Sequence, residues 1–177
     1  MFTLILSVAE QSVQHGLDYG VPTAMVDTSL YSPLLRKKNG ASFITVTHID
    51  KLRGCIGSLV PYRPLVIDVS DNAYAAAFTD PQFPPLRTSE WSKLAISVSV
   101  LSRAKPFEVR DEADLLVRLN PGVDGLILHH QDNRVTFLPQ VWEHLPNPAD
   151  FLSHLKRKAG LAEDYWSDEL RFFRYTI

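Results

Sequence analysis

Apolar positions in this chain change period several times, and each change marks an element. Ile5, Val8, Ala9, Val13 and Leu17 recur at helical spacing, which predicts a packed amphipathic helix ending near Gly16 or Gly20. β-prone runs flank Ile49-Asp50-Lys51, so residues 42–48 and 52–59 read as an antiparallel hairpin. Pro64 stands at a helix-start position, and Val66, Val69, Ala73 and Ala77 carry the helical period to a stop at Asp80-Pro81. An alanine-rich helix this small-sided can lie close against a sheet. "KLAISVSVL" returns to period two, with Leu94, Ile96, Val98 and Val100 set against Lys93, Ala95, Ser97 and Ser99, the pattern of a half-buried strand.

The second half continues the mixture. "RDEADLLVRLNPGVDG" predicts a short helix stopped at Asn120-Pro121, and "LILHHQDNRVTFLP" a second hairpin turning at Gln131-Asp132-Asn133. In "NPADFLSHLKRKAGL", Asn147 is placed to cap a helix, Pro148 to occupy its first turn and Gly160 to close it. Lys156, Arg157 and Lys158 are expected as a solvated helix end complementing the dipole. "LRFFRYTI" reads as a final strand, with Phe173 and Tyr175 alternating against Phe172 and Arg174. Helices and antiparallel hairpins are mixed without a βαβ rhythm, a repeat or a low-complexity tract, so the class is α+β, antiparallel sheets flanked by helices. No linker separates independent domains, and residues 1–177 read as one.

Composition adds exclusions. Hydrophobic residues make up 45% and charged residues 21% of the 177, as in ordinary globular proteins. The 18 basic and 20 acidic residues leave a net charge of -2, which gives no field to attract a polyanion, so nucleic acid is not an expected partner. A single cysteine cannot close an internal disulfide, which fits a reducing cytoplasm. The N-terminal apolar run lacks a basic n-region and is interrupted after Leu6, and no stretch approaches the ~20 apolar residues of a membrane span. Neither secretion nor membrane association is expected.

Candidate chemistry is sparse. No GxxxxGK, GxGxxG, HExxH, Cys/His zinc spacing or GxSxG occurs, so no motif implies a nucleotide, metal or other cofactor. The exception is "LRGCIGSL". On a regular strand Arg53 and Cys55 share one face, with Leu52, Gly54 and Ile56 on the other. A guanidinium beside a thiol favours the thiolate, the nucleophilic form; equally, free cysteines are commonly buried and inert. Gly54 and Gly57 signal a bulge or a close approach by a backbone or a ligand. A nucleophilic Cys55 would need a base, and the sequence names no histidine for that role; His48 on the paired strand is only a candidate, and reads more simply as an exposed hairpin histidine.

The proline-rich "TDPQFPPLRTSEW" reads as a rigid, shaped loop. Asp80 either terminates the preceding helix or presents a carboxylate into the space this loop shapes. Phe83, between Gln82 and Pro84, is either a ligand-contacting aromatic or a core plug.

In their order and spacing, "LRGCIGSL", "FTDPQFPPL", "ISVSVLS", "VDGLIL", "FLPQVW" and "LKRKAGL" closely resemble the AMMECR family, whose prokaryotic members are called AmmeMemoRadiSam system protein A. The resemblance spans nearly the whole chain. It implies two unequal lobes with an interlobe cleft, near which the RGCIG segment and the DPxFPPL loop lie, and it marks Leu52, Arg53, Gly54, Cys55, Ile56 and Gly57 together with Asp80, Pro81, Phe83, Pro84 and Pro85. It also implies association with a Memo-like protein and a radical-SAM enzyme. The chain departs from the family in having Gln82 where arginine is usual and Ala9-Glu10 where "AR" is usual; the first change disfavours anionic ligands.

Two functions follow. One is an enzyme or accessory enzyme for a small molecule, with Cys55 as nucleophile or redox thiol, Arg53 as activator, Asp80 as acid, base or orienting group, and Gly54, Ile56, Gly57, Gln82 and Phe83 as ligand contacts. The other is a non-catalytic binding or adaptor module.

Overall fold

The computed structural model describes residues 2–22 and 38–177, which pack as two compact units, Met1–Leu101 and Ser102–Ile177. In the first, helix α1 (Phe2–Tyr19) buries Ile5, Val8, Ala9 and Val13. It ends where Gly20 takes a φ of 70° and its N–H donates to the Gly16 carbonyl at 2.9 Å, a left-handed C-terminal cap that glycine adopts without steric cost.

Three strands, β2 (Ser42–His48), β3 (Lys51–Gly57) and β5 (Leu94–Val100), form an antiparallel sheet in the order β3-β2-β5. Two short strands, β1 (Asn39–Gly40) and β4 (Arg63–Pro64), pair separately. On the central strand Ile44 and Val46 are fully buried against α1 and helix α2 (Leu65–Phe78), and Leu94, Ile96, Val98 and Val100 join the same core from β5. The period-two pattern at 94–100 thus reflects the apolar residues sharing the core-facing side, while Ser99 on the other side is buried as well. The β2–β3 turn is tighter than the three residues expected: His48 pairs with Lys51, and both central residues, Ile49 and Asp50, have positive φ, the geometry of a two-residue hairpin turn.

The second unit contains a four-stranded antiparallel sheet in the order β6-β9-β7-β8, made of β6 (Lys105–Pro106), β7 (Gly125–His130), β8 (Asn133–Phe137) and β9 (Arg171–Tyr175). Helices α3 (Glu112–Arg118) and α4 (Pro148–Lys158) supply the rest of its core, in which the Trp142 and Phe151 rings stack 3.8 Å apart between centroids. Asn147 caps α4 as its sequence predicts, accepting the Ala149 N–H at 2.8 Å.

One expectation in this unit fails. Lys156 is not part of a solvated helix end; it is completely buried, and its ammonium donates to Glu112 Oε2 at 2.7 Å and to the Glu163 carbonyl at 2.8 Å. Its position one residue beyond Leu155 turns it inward, and Glu112 on α3 supplies the compensating charge. Strand β9 buries one residue on each face, in keeping with the expected alternation. Phe172 is buried on one face and Tyr175 on the other, where Gly125 leaves the slot that the phenol ring fills. The Tyr175 hydroxyl lies 2.9 Å from Thr136 Oγ1 and donates to the Phe137 carbonyl at 3.2 Å; burial raises its pKa far above the ordinary phenol range, opposed in part by the Thr136 contact. Among the described residues no helix is long and apolar enough to cross a membrane.

Candidate functional site

The RGCIG segment forms most of β3, an edge strand. Its register against β2 runs Gly57–Phe43, Ile56–Ile44, Cys55–Thr45 and Gly54–Val46, then skips to Leu52–Thr47. Arg53 is therefore the extra residue of a β-bulge, and strict alternation from Cys55 to Leu52 is broken at the position where Arg53 and Cys55 were expected to share a face. Gly54 is demanded by packing: a Cβ there would lie 1.9 Å from the carbonyl oxygen of Ala76. The alanine face of α2 thus brings helix backbone directly onto the strand, the close approach that the small side chains foretold. Gly57 makes room for the Phe43 ring, which an added Cβ would meet at 2.3 Å. Ile56 packs against the first core.

The guanidinium of Arg53 is engaged away from the thiol. Its Nε donates to Glu90 Oε1 at 2.8 Å, and its Nη2 to Glu90 Oε2 at 3.2 Å and to the Pro85 carbonyl at 3.3 Å. This fork is largely shielded, with side-chain exposures of 13% for Arg53 and 20% for Glu90, which leaves little water to weaken it. The Arg53 hydrogen bond holds the Glu90 carboxyl below its usual range, burial opposes that shift, and the Arg87 N–H and the charge of His48 reinforce it. The remaining guanidinium nitrogen, Nη1, is buried with no hydrogen-bond partner among the described residues.

Asp80 is buried, and both its oxygens serve main-chain donors. Oδ2 accepts the Cys55 N–H at 2.8 Å and Oδ1 the Gln82 N–H at 2.9 Å, while the Asp80 carbonyl accepts the Phe83 N–H at 3.2 Å. It therefore shapes the loop and pairs an outward amide of the edge strand at once. Leu86, 6% exposed, is the loop residue plugged into the core, anchored by its N–H to the Ala77 carbonyl at 2.8 Å; Phe83 is half-buried and Gln82 exposed.

Cys55 is partly buried with Thr45 Oγ1 3.5 Å from its sulfur. His48 stands three residues further along β2 than Thr45, about 10 Å by strand rise, and it acts electrostatically on Glu90. The structure therefore brings Arg53, Cys55 and Asp80 into one hydrogen-bonded assembly, but joins the carboxylate to the Cys55 amide and the guanidinium to a glutamate.

Sequence reasoning missed two participants. Glu90 is one; its spacing three residues after Arg87, the capping-box interval, was the available signal. Asp68 is the other. It is completely buried and accepts the N–H and hydroxyl of Ser42 at 2.8 and 2.7 Å, the Ser58 hydroxyl at 2.7 Å, Arg63 Nε at 2.9 Å and Asn72 Nδ2 at 3.0 Å. Through Ser58 this network fixes the C-terminal end of LRGCIGSL, so the segment is tied at Arg53, at Cys55 and at Ser58. Among the described residues no group of three or more His, Cys, Asp or Glu side chains is arranged to hold a metal ion.

A family model matches residues 6–177, and it is AMMECR1. The chain belongs to the AMMECR1 family. Among its relatives, a Methanothermobacter thermautotrophicus protein is 36% identical over 148 residues, covering 80% of this chain and 74% of that one. Protein MJ0810 of Methanocaldococcus jannaschii is 34% identical over 148 residues, covering 82% and 74%, and a Thermotoga maritima protein is 35% identical over 153 residues, covering 85% and 82%. The crystal structure of the uncharacterized protein PH0010 from Pyrococcus horikoshii superposes with a TM-score of 0.90 at 27% identity, covering 99% of this chain and 88% of that one. The α+β fold is therefore shared with the Pyrococcus horikoshii protein.

Proposed function

We propose that this AMMECR1-family protein is a binding or adaptor module whose recognition element is the rigid unit formed by RGCIG and DPQFPPL. One observation carries this reading: the two charged groups that an enzyme would need free, the Asp80 carboxylate and the Arg53 guanidinium, are committed to bonds that pin strand to loop. Each such bond satisfies a part-buried main-chain donor or charge, and withdrawing it for chemistry would leave that group without this partner. A surface pre-organised in this way loses little conformational entropy on binding, which is what a recognition element gains from its prolines and glycines. The partner class that the family resemblance implies is a Memo-like protein.

The test uses purified full-length chain and the Memo-like protein of the same organism. Cys55→Ala is expected to retain both capture of that protein and complementation of a deletion strain. Asp80→Asn, which loosens the strand–loop clamp, is expected to weaken capture. Cys55→Ala that captures normally but fails to complement would overturn the reading in favour of thiol chemistry.

A further inference from the structure

The four-stranded sheet of the second unit carries a row of cations across three strands. His129 on β7 lies opposite Arg134 on β8 and opposite Arg171 on β9. Cross-strand partners project from one face. The neighbouring row, Val135, Leu128 and Phe172, belongs to the second core, so the cations stand on the face turned away from it. Arg134 and Arg171 are exposed and His129 is half-buried, which leaves the row open to solvent. His130, on the core side, has the Tyr165 hydroxyl 3.1 Å and Glu169 Oε2 3.6 Å from its Nε2. Among the described residues, the side chains of His129 and Arg134 have no hydrogen bond or ion pair. Neither Asp132, at the hairpin tip, nor Asp168 makes an ion pair with the row.

The guanidinium groups are drawn toward one strand. That of Arg134 lies 5.9 Å from the centroid of the Phe173 ring, and Phe173 is two strands away in the order β9-β7-β8. The Arg134 side chain therefore crosses β7 toward the strand that carries Arg171. Arg171 is fixed through Nη1, which donates to the Asp168 carbonyl and to the Leu170 carbonyl at 3.1 Å; its Nε and Nη2 have no partner among the described residues. Like charges set side by side repel. An oxyanion reached by two guanidinium forks and an imidazole relieves that repulsion and takes up the vacant donors.

A cavity adjoins the row. Strand β6 is two residues long, and the Phe107 N–H still reaches the Phe172 carbonyl at 2.9 Å. Past that bond the two chain segments part around a cavity of about 220 Å³, lined by Pro106 to Arg110 on one side and by residues between Trp166 and Phe173 on the other. Arg171 and Phe173 belong to both row and cavity. Its apolar walls include Phe107, Trp166 and Phe172, the last two stacked at 5.6 Å. Glu108 and Asp168 line it too and balance Arg110 and Arg171 there, so the unmatched positive charge is that of Arg134 and His129. The volume falls below the roughly 300–1,000 Å³ of drug-sized sites, which limits an apolar occupant to about one ring. We propose that the second unit binds a small organic phosphate, its phosphate group held by Arg134, His129 and Arg171 and its apolar body in the adjoining cavity. A phosphate dianion answers this row better than a carboxylate, which brings one charge and two oxygens. The site lies within Ser102–Ile177 and is independent of the adaptor reading, which rests on the first unit.

Calorimetric titration of the full chain with phenyl phosphate, inorganic phosphate and benzoate tests it. Phenyl phosphate is expected to bind more tightly than inorganic phosphate, which lacks the apolar body, and more tightly than benzoate, which carries a single charge. Arg134→Gln and His129→Gln are each expected to weaken phenyl phosphate about 10-fold, the loss of one charge-assisted hydrogen bond. Arg134→Gln changes an exposed residue and is expected to keep the wild-type urea midpoint. In amide NMR spectra, phenyl phosphate is expected to shift His129, Arg134 and Arg171 and to leave Gly54 and Cys55 in place. Absence of saturable binding by phenyl phosphate overturns the proposal. So does equal affinity for inorganic phosphate or benzoate, binding that both variants leave unchanged, or shifts confined to the first unit.

Discussion

At the scale of single residues, the glycines and carboxylates of the site act by steric room and by accepted hydrogen bonds. Adding a Cβ at Gly54 drives it into the Ala76 carbonyl oxygen 1.9 Å away, and neither the strand nor α2 can give without moving the core. Gly54→Ala is expected to cost about 3 kcal/mol, the upper part of the overpacking range, measured as a lower urea midpoint. Gly57→Ala meets the Phe43 Cγ at 2.3 Å, which turning the ring does not move but a change of side-chain rotamer can, and is expected to cost about 2 kcal/mol. Asp80→Asn retains one carbonyl oxygen but turns an amide donor toward a second main-chain N–H, of Cys55 or of Gln82. Leaving one of these part-buried donors without its acceptor costs about 1 kcal/mol, the lower end of the range for an unmet hydrogen bond. Glu90 supplies the pH dependence. Its carboxyl is held below the ordinary value of 4.5 in the folded state, so its stabilisation is complete above that value and is lost as pH falls through the lower, folded one. The stability difference between wild type and Glu90→Gln is therefore expected to be constant from neutral pH down to about 5 and to shrink in more acidic solution.

At the scale of elements, legibility followed the range of the interactions. Helix α1 and strand β5 could be read because each turns its apolar residues to one core, so apolar positions repeat at the element's own period. The α4 cap could be read because Asn147 and Ala149 are two residues apart. Lys156 could not, because what makes its burial tolerable is Glu112, 44 residues away. The Arg53 bulge was hidden for the same reason, its guanidinium being paired with Glu90 across 37 residues; the glycines signalled an irregularity without saying where the charge would go. Lys156 gives a directional prediction. Lys156→Met removes the buried ammonium and fills its volume, and is expected to be nearly neutral. Glu112→Ala leaves that ammonium without its counter-charge and is expected to cost about 2 kcal/mol, discounted from a fully buried pair because the Glu112 side chain is 37% exposed. A larger loss for Lys156→Met than for Glu112→Ala would reverse that account.

At the scale of the whole molecule, the chain holds two cores rather than one. Ile44, Val46, Val69 and Ala73 belong to the first, and Leu115, Leu126, Phe151 and Leu155 to the second. The residues that carry the candidate site, from Arg53 through Asp80 to Glu90, all lie within Met1–Leu101, as do the bonds among them. About 100 residues is ample for an independent core. The ladder of the first unit closes within it, the Leu101 N–H donating to the Ala41 carbonyl at 2.9 Å. A fragment spanning residues 1–101 is therefore expected to fold alone, with a cooperative urea transition and slow hydrogen exchange at the Cys55 amide, the donor to Asp80. In that fragment Asp80→Asn should accelerate exchange at Cys55 more than at Ile44, because the substitution opens the clamp locally while the central strand remains covered by both helices. Exchange at the two amides rising together would mean that the clamp opens only with the whole core, making Asp80 a contributor to global stability alone; separate exchange would show that RGCIG and DPQFPPL can part while the rest of the unit stays folded.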